Sequence, residues 1–115
     1  METENINRVE LLGHIGQIRI SAGEKEAGVS IATSRVCLSG GNPLIETTWH
    51  SVIVRDSVID FALLKKGGVA RVEGFIRNRS FTAADGCERV ITEIVATKCE
   101  VQEWEQFPRE NQLNQ

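Results

Sequence analysis

The stretch SVIDFALLKKGGVARVEGFIRNRSFTAADGCERVITEIVAT (57–97) changes its period once, and that change decides the fold. Ser57 followed three residues later by Asp60 reads as a capping box, and Val58, Phe61, Ala62 and Lys65 follow helical spacing. Lys65 and Lys66 would favour the negative end of the helix dipole, and Gly67 is a natural stop. A short helix over 57–68 is therefore expected. From residue 69 the pattern switches to alternation. VARVEGFIRNRSFT (69–82) and ERVITEIVAT (88–97) read as two strands, joined by a loop whose Asp85-Gly86 pair is a strong hairpin signal.

Upstream, NRVELLGHI (7–15) alternates with Val9, Leu11 and Ile15 on one face, and Gly13 on that face would allow a bend or bulge. A Gly- and Glu-rich loop (21–28) leads to a second strand, VSIATSRV (29–36). SGGNP (39–43) breaks regular structure, and TTWHSVIV (47–54) forms the third strand. Three strands, a short helix and two more strands is the plan of the OB-fold, a five-stranded Greek-key barrel. The expected fold class is all-β with one helix between strands 3 and 4. Residues 1–101 would form the barrel domain and 102–115, which lose periodicity, a flexible extension.

With 115 residues and 12.7 kDa the chain has room for a single core. No apolar run approaches the roughly 20 residues of a membrane span. METENINRVELLG lacks the basic start and apolar block of a signal peptide, so a cytoplasmic protein is expected. Cys37, Cys87 and Cys99 form no C-x-x-C pair and read as reduced thiols. The Asn78-Arg79-Ser80 sequon has no secretory context to give it meaning. The net charge of −3 hides an uneven distribution. Residues 47–99 carry eight basic and six acidic groups, while both ends are acidic. The direction of the arginines therefore matters more than the bulk charge.

On the fourth strand Ala70, Val72, Gly74 and Ile76 share a face suited to a small barrel's interior. Arg71, Glu73, Phe75, Arg77, Arg79 and Phe81 share the other. Arginines neutralise phosphates and aromatic faces accept unstacked bases, so this alternation suits a single-stranded nucleic acid. The alternative is a solvated face whose phenylalanines rest on the tail or on a neighbouring subunit. The third strand repeats the pattern. Thr48, His50, Val52 and Val54 share one side, and Thr47, Trp49, Ser51, Ile53 and Arg55 the other. A tryptophan there is either a base platform or a rim residue packed under a loop.

His50 faces the valines, as a core or interface histidine would, and His14 stands beside glycines. No catalytic arrangement, P-loop or metal-ligand spacing accompanies them. GHIG (13–16) reads as a turn-like G-x-x-G too short for phosphate binding. No enzyme activity, catalytic residue, metal or cofactor is expected.

With these residues in view, the chain resembles the bacterial single-stranded DNA-binding protein family. NRVELLGHIGQ is similar to the family's opening strand, VSIATS to its second and ETTWH to its tryptophan–histidine signature. LLKKGGVARVEGFIRNRSFTAADGCERVITEIVA runs along its second half, so the likeness covers residues 5 to about 99. The resemblance implies sequence-tolerant binding of single-stranded DNA in replication, recombination or repair. It also implies a homotetramer built as a dimer of dimers. Trp49 and Phe81 match its stacking positions, Arg8, Lys66 and Arg79 its backbone contacts, and His50 a histidine at a subunit contact. Residue types add Arg71, Arg77, Arg55, Lys65 and Phe75 to the expected nucleic-acid-binding set.

The chain departs from the family at three places. Cys37 stands where many members carry another tryptophan, and Arg55 where they carry an aromatic residue. Two lost platforms would cost about 1–3 kcal/mol each. Arg55 and Arg77 would offset part of that at higher salt sensitivity. The chain reads as a short member without the usual acidic tip, its Phe107-Pro108 reversed and internal, so recruitment of replication enzymes by that route is not expected. Trp104 and Phe107 could fold back over the binding face. The competing reading is a tailless interaction module like the primosomal accessory proteins, dimeric and binding DNA weakly. An OB-fold that binds RNA or oligosaccharide is a third.

Overall fold

The computed structural model describes residues 4–102. Five strands, β1 (Val9–Ile20), β2 (Glu26–Ser39), β3 (Asn42–Arg55), β4 (Val69–Thr82) and β5 (Glu88–Gln102), close into a barrel in the order β1-β2-β3-β5-β4. All neighbours are antiparallel except β3 and β5, which meet in parallel through only Val52–Ile94 and Ile53–Val95. β5 runs to Gln102, just past the expected domain end, and Trp104 and Phe107 lie outside the described residues.

β-branched residues build the interior, because their stiff side chains pack well on a pleated surface. Leu11, Ile15, Val29, Ile31, Val52, Val54, Val72, Ile94 and Ala96 form one buried cluster. Each large aliphatic there contributes about 1.5–3 kcal/mol over its exposed state. Ile76, expected inside, is 47% exposed. It keeps the inward side of β4, but at that height the strand has risen out of the barrel.

Helical spacing over 57–68 overstates what forms. The segment contains a single 3₁₀ turn, Phe61–Leu63, whose N-cap is Asp60 rather than Ser57, with its side chain accepting from the Ala62 N–H at 3.0 Å. Its buried residues are Ile59 and Leu64, five apart, a spacing that no helix places on one face. They plug one end of the barrel with Val58 and Phe61 packed beside them. Lys65 and Lys66 consequently lie in a loop and not on a helix end.

Gly13 is not a bend. A Cβ there would lie 2.1 Å from the Ala32 carbonyl oxygen, so its bareness lets β2 approach. The irregularity in β1 comes between Ile15 and Ile18, so GHIG lies in a bulged strand rather than a turn. A second irregularity separates Glu73–Lys98 from Gly74–Ala96, leaving Thr97 as the extra residue of β5. Each bulge shifts the alternation by one, sending residues that simple counting puts inside the barrel to its outer face.

Two hairpins rise beyond the barrel. β2 and β3 pair out to Ser39–Asn42 around a two-residue turn in which Gly40 (φ 60°) and Gly41 (φ 85°) are both left-handed, as this tightest hairpin requires. β4 and β5 pair out to Thr82–Glu88. Their loop is held by Asp85, which accepts from the Cys87 N–H and from Arg89 Nη2. These two bonds, the backbone one foremost, hold the Asp85 carboxyl below its usual range.

Candidate nucleic-acid interface

Between the two hairpins the outer face of the sheet forms an open hollow of about 270 Å³. Its lining includes Gln17 and Arg19 of β1, Ser30 of β2, Ser51 and Ile53 of β3, Arg79 of β4 and Glu93 of β5. Sequence alternation missed Gln17, Arg19 and Glu93. The β1 bulge is responsible for the first two, because it turns the outer half of that strand towards the groove, whereas Glu93 lies in the unbroken run of β5 opposite Arg77. Gly16 beside Ile18 was the only visible hint of the first bulge; Thr97 gives no local sign.

Trp49 stands on this face opposite Ala32, and its side chain is 61% exposed. The ring is seated on Gly16: a Cβ there would come within 2.5 Å of it and within 2.8 Å of Ser30 Oγ. Ser30 Oγ also accepts from the Gln17 N–H at 2.8 Å, which fixes the floor under the indole. The large π-face is therefore supported from below and open above, the geometry a base needs for stacking.

Across the hollow, Phe75, Arg77, Arg79 and Phe81 succeed one another on the outer side of β4, as alternation predicts. Both phenylalanines are exposed. Arg77 donates through Nε (3.1 Å) and Nη2 to Glu93 Oε1, and Arg79 Nε donates to the same oxygen at 3.1 Å. Glu93 is 2% exposed and is the one buried charged side chain among the described residues. Burial alone would raise its pKa, but the two guanidinium groups outweigh burial and hold the carboxyl below its usual value.

The remaining expected contacts are scattered. Arg71 pairs with Glu10 at 3.1 Å and lines a separate cleft with Leu12, Val69, Glu100 and Gln102. Arg55 lies opposite Glu26 at the far end of β3, about 20 Å along the strand from Trp49. Lys66 borders a hollow beside the β1 bulge with Gln17, Ile18 and Arg19, and Lys65 precedes it in the same exposed loop. Arg8 is exposed next to Asn7, whose side chain exchanges two hydrogen bonds with the Ile76 backbone. His50 is half-buried on the opposite face of β3, its Nε2 2.8 Å from Thr33 Oγ1. Cys37 also points away from Trp49, since it pairs with Leu44 on the other side of the hairpin.

Residues 6–102 match the model of the Single-strand binding protein family. The chain belongs to that family. Among its relatives are a Single-stranded DNA-binding protein of Neisseria meningitidis, 33% identical over 101 residues, and one of Xylella fastidiosa, 36% identical over 103. These alignments cover 82% and 84% of this chain but 58% and 63% of the relatives, so the chain spans about three-fifths of their length. A Plasmodium falciparum SSB solved in complex with ssDNA superposes with a TM-score of 0.69 at 26% identity, covering 88% of this chain and 97% of that one. A deletion mutant of the single-stranded DNA binding protein from Thermus aquaticus shares the fold, with a TM-score of 0.66 at 21% identity over 86% of this chain and 51% of that one. The five-stranded barrel is thus the OB-fold that the strand order implied.

Proposed function

We propose that this chain binds single-stranded DNA with little sequence preference, through base stacking on Trp49 and Phe81 and phosphate contacts from Arg77, Arg79, Arg19 and Lys66, in the replication, recombination or repair of DNA. The observation that carries this reading is the exposed Trp49 ring seated on Gly16 at the rim of a hollow lined by arginine. A π-face accepts any base, and guanidinium groups recognise the backbone that all sequences share. Family membership and the likeness to an SSB solved with ssDNA support it. Phe75, Lys65 and Arg8 are secondary contacts around this groove. Arg71, paired with Glu10, and Arg55, at the far end of β3, contribute mainly field. The protein acts by binding alone, as a homotetramer in which His50 lies at a subunit contact.

Tryptophan fluorescence during titration with oligothymidine, at low and high salt and with duplex DNA as control, tests the reading. Quenching by the single strand alone, weakened by salt, is the expected result. No quenching together with no shift of an oligonucleotide in a gel at low salt would overturn it. A solution mass at or below that of a dimer would overturn the tetramer.

A further inference from the structure

We propose that Glu93 is an internal counter-ion: in the free protein it occupies the anion position between Arg77 and Arg79 that a backbone phosphate competes for, and so limits the groove's affinity and salt sensitivity. This rests on the single-strand-binding reading above.

Three observations converge on it. Arg77 and Arg79 are two residues apart on one strand face, roughly 7 Å between Cα atoms, where two cations repel. Their three N–H donors meet at a single oxygen, Glu93 Oε1, so the pair already forms an anion cradle, and it is filled. Carboxylate and phosphate present guanidinium with the same acceptor geometry, so either can fill it. Glu93 lies at the floor of the hollow while the arginine side chains above it are 38% and 50% exposed. Their outer edges are thus open to a phosphate without any change of fold. The cluster carries two positive charges and one negative, and it offers a strand a net charge of one.

Two other ways of holding the arginines would not give this arrangement. An exposed carboxylate would be screened and easily displaced, and a neutral acceptor would leave the full charge of both guanidiniums in the groove. A buried carboxylate does neither: it stays ionised and is shielded from solvent ions, so it offsets one of the two positive charges that a strand meets.

Glu93→Gln keeps the shape and one acceptor and removes the charge. Its affinity for oligothymidine, measured across a salt series, tests the proposal. The expected result is tighter binding at low salt and a log–log salt slope steeper by about 0.7, one further phosphate neutralised on a single strand. An unchanged slope in a variant with the wild-type melting profile would overturn the proposal and leave Glu93 a structural residue. Weaker binding with a flatter slope would also overturn it, because Glu93 would then be holding the arginines in place for the strand. Should Glu93→Gln unfold at the assay temperature, Glu93→Asp carries the test. Its shorter side chain loosens the cradle, so the slope steepens by less; a flatter slope overturns the proposal. Absence of any wild-type affinity for oligothymidine would instead defeat the binding reading itself.

Discussion

The two hairpins that leave the barrel are built alike and dressed differently. The β2–β3 arm carries a single ion pair, Arg35–Glu46, at 3.0 Å, and its charge is closed on itself. Val36, Leu38, Pro43 and Ile45 lie on the same side of it as Trp49, all exposed, so that face carries no charge and only the Ser34–Thr47 hydroxyl pair interrupts its apolar residues. The β4–β5 arm instead places Arg77, Arg79 and Arg89 among its phenylalanines, with carboxylates against each arginine. One arm offers surface that salt does not touch and the other offers charge that salt screens. Binding should therefore divide into two parts that different substitutions remove separately.

Trp49→Ala tests the first part and has the largest expected effect. Loss of one platform should weaken oligothymidine binding by about 1–3 kcal/mol, roughly fivefold to somewhat over a hundredfold, with the salt slope unchanged. A changed slope would mean that the arms are not separable. Arg79→Ala tests the second. The expected result is a weaker complex and a slope flatter by about 0.7, read from titrations at several salt concentrations. Gly16→Ala would push the indole off its seat while leaving the barrel intact, because the obstructions are the exposed ring and the Ser30 hydroxyl, both side-chain atoms and not backbone. A loss smaller than that of Trp49→Ala, with an unaltered melting temperature, is expected, and equal affinity would show that the seat is unimportant. Leu38→Ser should change stability by no more than about 0.5 kcal/mol, checked by denaturant melts, since its side chain is exposed at the arm's tip.

Alternation alone located Trp49 and the β4 row, because those strands keep their phase through the region that matters. It failed for Arg19 and Gln17, which lie beyond the one-residue bulge of β1. Glu93 was unreadable for a different reason: its partners sit on the opposite strand, and no spacing in ERVITEIVAT announces them. The helix over 57–68 was over-read because capping residues and a terminal glycine occur equally well around one 3₁₀ turn. Ile59 and Leu64, at non-helical spacing, were the sign that the segment serves as a plug.

The seam between β3 and β5 is only two residue pairs long, against fourteen along β2 and β3. Mechanically the molecule is a strip closed by one short stitch, and Ile53 and Glu93, on either side of that stitch, line the same hollow. A polymer lying from Trp49 to Arg79 would cross the stitch along the direction in which it opens. It would act as a strap, so that cargo stiffens its carrier at the place where the carrier yields most easily.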